Sequence, residues 1–361
     1  MKVDIAVVGG GPSGLALAIH AARRGLAVRV YERRRYPLDK ACGEGLLPKG
    51  LAALERLGVS LSDAEATRLE GVRYVQEDGH TVEARFRGAG GLGVRRTALA
   101  EVLRARAQSA GVEVHPGVAV RGLQRREAGV RLWTDAEEIE AQLVVAADGL
   151  ASPIRRQEGL EAASSRMPRR YGVRCHFQVA PWTHFVEVHF GPGAEAYVTP
   201  VGTKCVGVAL LFERTAKPVS FAELLAQFPH VTKRLQGSLP DNAPLGAGPL
   251  WQAARSRVLD RLVLLGDAGG YVDALSGEGL SLSLQAAEVL GALLPTALAS
   301  GASRRSLLPY ERACLRAFRG YERLTRALLF MARRPPIRRR ALEFLARHPR
   351  ALQTIVDHAV G

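Results

Sequence analysis

Three spaced glycines near the start of the chain constrain its fold more than any other feature: Gly9-x-Gly11-x-x-Gly14. They follow an apolar strand pattern, Val3-Asp4-Ile5-Ala6-Val7-Val8, and precede a helical stretch from Leu15 to Arg24. A second strand pattern, Ala27-Val28-Arg29-Val30-Tyr31, then ends on Glu32. Strand, glycine turn, helix, strand and acid make one βαβ unit of the kind that holds a dinucleotide. Each position has a physical task. Gly9 permits the tight turn, Gly11 lets the backbone approach a pyrophosphate, and Gly14 lets the helix pack on the sheet. Pro12 and Ser13 complete the turn at a helix N-terminus, whose free N–H groups and partial positive charge favour phosphate. Glu32, followed by Arg33, ends the second strand, where a carboxylate accepts hydrogen bonds from the hydroxyls of an adenosine ribose.

With 361 residues the chain is long enough for about two domains. The first strand begins at residue 3 with no charged and apolar leader ahead of it, so no signal peptide is expected. No run of eighteen apolar residues is present, so no membrane span is expected. Cys42, Cys175, Cys205 and Cys314 are scattered without metal-type spacing, which predicts no metal site and a reducing cytoplasm. The net charge is +15 and is uneven. From Gly301 to Gly361 there are 14 arginines against Glu311, Glu322, Glu343 and Asp357, a local net charge of +10, densest at Arg338-Arg339-Arg340. Two readings stand: a solvated arginine face, or a surface for an anionic membrane or an acidic carrier protein at the inner face of the membrane. No nucleic-acid module or basic-aromatic interleaving is present, so nucleic acid is not an expected partner.

Beyond the βαβ unit, a helix is predicted from Pro48 to Leu57. A hairpin follows, Gly71–Val75 and Thr81–Phe86 around Glu77-Asp78-Gly79-His80. Helical periodicity returns at Arg96, Leu99, Leu103 and Ala107. A hairpin-like stretch from Val118 to Glu140 precedes a fully apolar strand, Leu143–Ala147. Tyr171–Val179, Phe185–Phe190, Ala196–Thr199 and Cys205–Phe212 read as an antiparallel sheet with one lined face. A helix is expected from Gly279 to Leu294, and two or three basic helices close the chain around Pro335-Pro336. Leu315, Phe318, Leu324, Leu328 and Met331 form their apolar stripe.

Two further segments end apolar strands. One is Asp148-Gly149-x-x-Ser152-x-x-Arg155; the other is Gly266-Asp267-Ala268, followed by Gly277-Glu278-Gly279-Leu280. With the first glycine motif, and in this order, they resemble the FAD-dependent oxidoreductases of the para-hydroxybenzoate hydroxylase fold. The resemblance covers about the first 300 residues. It implies an α/β chain: a Rossmann-like FAD-binding domain (1–70, 94–160 and 251–300), an inserted antiparallel β-sheet substrate domain (71–93 and 161–250), and a basic helical C-terminal region (301–361). It implies non-covalently bound FAD, with NAD(P)H as electron donor. It places Asp267, with Gly266, against the ribityl–pyrophosphate region, Asp148 beside the cofactor, and Arg96 on the flavin side, with Arg95 a competitor for that role. Gly277, Gly279 and Leu280 open a helix whose N–H groups face the ring.

The expected chemistry is a hydroxylation of an apolar, aromatic or polyketide-like small molecule, delivered from a carrier or dissolved in a membrane. Lys40-Ala41-Cys42-Gly43-Glu44-Gly45-Leu46 and Gly277-Glu278-Gly279-Leu280 look more like the geranylgeranyl reductase branch, whose C=C reduction needs a hydride and a proton. That branch also carries a Y-x-W-x-F-P stretch, and Tyr197-Val198-Thr199-Pro200 lacks its Trp. Cys42 and Glu44 are the candidate catalytic donors. A third reading is a non-enzymatic lipid-binding protein on the same fold. The tryptophan motif and lysine of flavin-dependent halogenases are not seen, so halogenation is not expected.

Overall fold

The computed structural model of the protein describes residues 2–62, 65–162, 169–214 and 219–360. Its first sheet is built on the strand Lys2–Val8. The order is Val258–Leu259, Leu262–Leu264, Glu138–Ala146, Lys2–Val8, Val28–Glu32, Glu113–Pro116. The last five of these strands run parallel to one another. Helices Pro12–Ala22, Arg96–Ser109 and Gly279–Ala299 cover one face, with Leu15, Ile19, Leu103, Leu284 and Leu290 buried against Ile5, Val7 and Val145. The strands Val120–Arg126 and Gly129–Thr134 fold over the other face, around Leu132, Val144 and Leu264. Burial on both sides explains why these strands are nearly continuous apolar runs.

The sequence separates a hairpin ending near Glu140 from a strand at Leu143–Ala147. The structure joins them. Glu138–Ala146 is one strand, antiparallel to Gly129–Thr134 at its start and parallel to Lys2–Val8 from Glu140 onward. Its alternating part has one face in solvent; its apolar part begins where both faces are covered.

The second sheet has the order Leu245–Ala247, Arg170–Phe177, Cys205–Glu213, Ala194–Gly202, Phe185–Gly191, Gly71–Val75, Thr81–Arg85. The hairpin at 71–85 and the four strands between 170 and 213 thus form one sheet inserted into the cofactor fold. All its pairings are antiparallel except Phe185–Gly191 with Gly71–Val75, which is parallel because the chain returns between them through the first sheet. Strand Gly91–Val94 lies in a small third sheet with Gly45–Leu46 and Ala66–Leu69. Phe185–Gly191 and Ala194–Gly202 are buried along their whole length, not on one face only. Short helices carrying Phe221, Leu224 and Val231 cover the outer face. On the inner face the polar residues are paired: Glu195 and Asp273 flank Arg170 at 2.5 and 2.9 Å.

Three helices close the chain: Arg304–Ala332, Pro335–Arg347 and Pro349–Val360. The first straddles both cores. Leu307, Tyr310 and Cys314 belong to the cofactor core, whereas Leu329 and Ala332 join Leu342, Leu352 and Val356 against the second sheet. The expected apolar stripe is therefore displaced. Leu315 is exposed, and the buried positions include Tyr310 and Tyr321. The two tyrosine hydroxyls donate to the carbonyls of Leu264 and Asp273, which makes their burial cheap and which a count of apolar residues does not register. Arg338 is likewise no surface charge. It is 2% exposed, lies over the Phe190 ring, and pairs with Glu77 at 2.9 Å.

Among the described residues one helix, Gly279–Ala299, is long and apolar enough by length and composition to cross a membrane, with a mean hydropathy of 1.4, although it contains no uninterrupted run of eighteen apolar residues. Leu284, Ala287, Leu290 and Leu294 pack into the cofactor core, and His20 of the first helix lies against Gly291.

Two predictions follow from this packing. A Cβ at Gly14 would lie 2.0 Å from the Gly9 carbonyl oxygen, whereas one at Gly11 meets nothing within 4 Å. Gly14→Ala is expected to lower the unfolding free energy by about 3 kcal/mol and Gly11→Ala by under about 1 kcal/mol, measured by urea denaturation. Equal effects would refute the close strand–helix contact. Burial pushes the His20 pKa down from 6.5 to about 4. Between those values only the unfolded chain takes up this proton, so stability falls as pH drops from 6.5 to 4. His20→Leu should flatten that acid limb.

Candidate active site

The carboxyl ends of the parallel strands open into a cavity of about 820 Å3 that continues beneath the second sheet. Gly9, Gly11, Pro12, Ser13, Glu32, Arg33, Cys42, Glu44, Arg96, Asp148, Asp267, Gly277, Gly279 and Leu280 all line it. Of the residues expected to bind the cofactor, Gly14 and Gly266 do not. They act behind the wall, Gly14 against Gly9 and Gly266 against Ser13.

At the first glycine turn, Gly9 has φ +108 and its Cα lies against the Ala147 carbonyl, where a Cβ would sit 2.3 Å away. The helix that follows has Gly11 at its N-cap and no side chain capping it, so its first N–H groups are open to the cavity. Glu32 is 7% exposed. Its two oxygens accept the Gly10 and Arg34 N–H groups, both at 2.9 Å, which fixes the carboxylate at the strand end. Tyr36, which the sequence did not flag, donates its hydroxyl to the Gly10 carbonyl and braces the same turn.

The two aspartate motifs are joined by Arg155, which is fully buried. It donates to the carbonyls of Ala268 and Leu150 at 2.9 and 2.7 Å, and to Gln252 Oε1 at 2.9 Å. Ser152 caps the short helix by accepting the Arg155 N–H. This explains the D-G-x-x-S-x-x-R spacing: the Ser shapes the turn and the Arg ties it to the Gly266–Gly269 turn. Asp148 Oδ2 accepts the Ile154 N–H, while Oδ1 is buried without a hydrogen-bond partner among the described residues. Desolvation pushes the Asp148 pKa up. Asp267 pairs with Lys40 at 2.5 Å. Gly266 to Gly269 form a 3-10 turn rather than a plain strand end.

The loop from Lys40 to Gly45 crosses between the two domains. Thr199 of the second sheet donates to the Gly43 carbonyl at 2.7 Å. Glu44, at φ +59, is 2% exposed. One of its oxygens accepts the Arg96 N–H at 3.0 Å; the other lies 2.7 Å from His176 Nε2. Arg174 and Arg95 both direct guanidinium N–H groups at His176 Nδ1, at 2.8 and 3.3 Å. Asn242 Oδ1 also lies 3.2 Å from that nitrogen, and on the other side of the ring Nε2 donates its proton to Glu44. Cys42 is half-buried on the same turn, with its sulfur 3.4 Å from the Glu44 N–H. Glu44 is thus fully engaged, whereas Cys42 faces the cavity. Arg95 and Arg96 also separate. Arg95 reaches His176 and Asp241, while Arg96 lines the cavity and its guanidinium has no partner among the described residues.

The far end of the cavity is apolar, with Tyr74, Phe86 and Tyr197 set among aliphatic side chains. Val72, Val186, Val188 and Leu211 of the second sheet face Leu324 and Leu328 of the first closing helix and Val356 of the last. Tyr197 donates to the Leu275 carbonyl at 2.5 Å, and burial pushes the Tyr74 pKa up to about 12. The sequence missed His176 and Arg174 and gave Lys40 no role beyond its motif, because nothing local marks a side chain whose partner lies more than a hundred residues away; Leu324 and Leu328 were expected as an apolar stripe, not as cavity lining.

The polar end fits FAD. It offers two uncapped helix N-termini for phosphate and ring, a fixed carboxylate for a ribose, an unpartnered Asp148 oxygen and a free Arg96 guanidinium. Glu32→Ala removes charged hydrogen bonds worth roughly 1.5–3 kcal/mol each. FAD affinity should fall at least about tenfold by equilibrium titration, while FMN, which lacks the adenosine, is scarcely affected. Equal losses would assign Glu32 to folding.

The chain matches the FAD binding domain family over residues 2–204. It is similar to digeranylgeranylglycerophospholipid reductase 1 of Methanothermobacter thermautotrophicus, with 27% identity over 332 residues, 87% of this chain and 82% of that one. It is 28% identical over 316 residues to the menaquinone reductase of Mycobacterium tuberculosis, covering 81% and 76% of the two chains. Among solved structures, a point mutant of the halogenase PltM in complex with FAD superposes with a TM-score of 0.83 at 18% identity, over 93% of this chain and 78% of that one, a likeness of fold. The expectation of a non-enzymatic lipid-binding protein is thereby set aside. The chain belongs to the FAD binding domain family and is an FAD-dependent oxidoreductase.

Proposed function

We propose that the protein reduces carbon–carbon double bonds in a long, apolar, isoprenoid-like molecule. The observation that carries this reading is a continuous cavity, which runs from the nucleotide motifs past Cys42 into a pocket lined mostly by apolar side chains. Two relatives named as reductases, one of a digeranylgeranyl lipid and one of menaquinone, match over more than four-fifths of this chain and support it. FAD, when bound, supplies a hydride, which NAD(P)H replenishes in this reading. The second requirement is a proton at the other carbon. Cys42 holds it in this proposal, and the Glu44 N–H at 3.4 Å stabilises the thiolate left behind. Glu44 is a positioning residue, because both of its oxygens are engaged. The apolar wall excludes water and aligns the chain by shape.

The test is turnover of digeranylgeranylglycerophospholipid and of menaquinone under strict anaerobiosis with NADPH or dithionite. Product heavier by two hydrogens per bond is expected. Cys42→Ala should lower kcat by about 10²–10⁴-fold with FAD content unchanged. Oxygen consumption with one oxygen atom in the product, and no anaerobic turnover, would reverse the reading to the hydroxylase expected from the sequence.

A further inference from the structure

The geometry points to the last two helices as a docking face for an anionic phospholipid membrane, with the mouth of the cavity opening beside it. The helix Pro335–Arg347 buries Arg338 and Leu342 against the second sheet. On the opposite side, Ile337, Arg340, Phe344 and Arg347 recur at spacings of three and four, so they share one exposed stripe. Ile337 and Phe344 are 43% and 54% exposed. The next helix adds Arg350, and Ile355 at 45% exposure. Ile355 also lines the cavity, so the cavity reaches the surface on this helix.

The charges on this face are uncommitted. Arg340, Arg347 and Arg350 have no ion pair or side-chain hydrogen bond among the described residues. The acids on the two helices are Glu343 and Asp357, and Asp357 is already paired with Arg87 at 2.6 Å. A merely solvated arginine face has no use for large exposed apolar side chains between its cations. An acidic carrier protein would answer the charge alone. An anionic bilayer answers both: its surface potential attracts the guanidinium groups, and the headgroup boundary accepts Ile and Phe. The placement rests on the reading of a lipid-soluble substrate, which would pass from the acyl chains into the apolar pocket at Ile355.

The test is co-sedimentation of the FAD-loaded protein with phosphatidylglycerol/phosphatidylcholine vesicles and with phosphatidylcholine vesicles. It uses no substrate, so it stands or falls apart from the reductase reading. Binding is expected to the anionic vesicles only, and to be lost near 1 M salt, where the Debye length shrinks to about 3 Å. The triple variant Arg340→Glu, Arg347→Glu, Arg350→Glu should bind at least about 100-fold more weakly. Phe344→Ser should lose about tenfold. In both variants FAD content and thermal midpoint should match the wild type, which shows that they fold. Equal sedimentation with neutral and anionic vesicles, or wild-type binding by the triple variant, would overturn the proposal. So would capture by an immobilised acyl carrier protein with no vesicle binding, which would assign the face to a carrier.

Discussion

The contact on which the rest of the molecule depends is the approach of three backbones at the end of the first strand. The Ala147 carbonyl closes on Gly9, and the Gly9 carbonyl closes on Gly14, each at a distance that excludes a Cβ. Strand Glu138–Ala146, the glycine turn and the first helix are therefore locked at one point. That point fixes where Asp148 emerges and where the first helix directs its N–H groups. Arg155 extends the lock to the third motif by holding the Ala268 and Leu150 carbonyls. The three cofactor segments come from residues 9–14, 148–155 and 266–269, yet they are one rigid edge.

A second set of buried charges joins this edge to the inserted sheet. Glu44, His176 and Arg174 link the Cys42 loop to strand Arg170–Phe177. Arg170 bridges Glu195 of the sheet and Asp273 of the loop that leads to Gly277. Buried ion pairs of this kind add little net stability, because desolvation offsets most of the attraction. Breaking one partner, however, leaves an uncompensated charge at a cost of about 3–5 kcal/mol. Their effect is specificity of position: the sheet that forms the apolar wall has one seating over the cofactor edge.

The cofactor edge was legible in the sequence because it is local. Gly9, Gly11, Gly14 and Glu32 lie within one βαβ unit, and the Asp148 and Asp267 motifs each follow an apolar strand. The inserted sheet was legible as strands but not as pairings, since the parallel pairing of Gly71–Val75 with Phe185–Gly191 joins segments over a hundred residues apart. The closing helices were the least legible. Tyr310, Tyr321 and Arg338 are buried through hydrogen bonds and ion pairs whose partners are far away in sequence, so hydrophobic spacing found Leu324 and Leu328 but missed these positions and placed Leu315 wrongly. Arg95 and Arg96 part company through His176, 81 residues distant, which lies against the first, whereas the second lines the cavity.

The closing helices also have a consequence for solubility. Thr81–Arg85 is the edge strand of the inserted sheet, and the last two helices pack against it, with Gln353 donating to the Arg85 carbonyl at 2.7 Å. An uncovered edge strand presents a row of unsatisfied backbone groups to any neighbouring chain. A chain cut before Pro335 would bare both that edge and the apolar surface of Leu342, Leu352 and Val356, and would aggregate by strand addition. The tail can therefore be rewritten on its outer face but not removed.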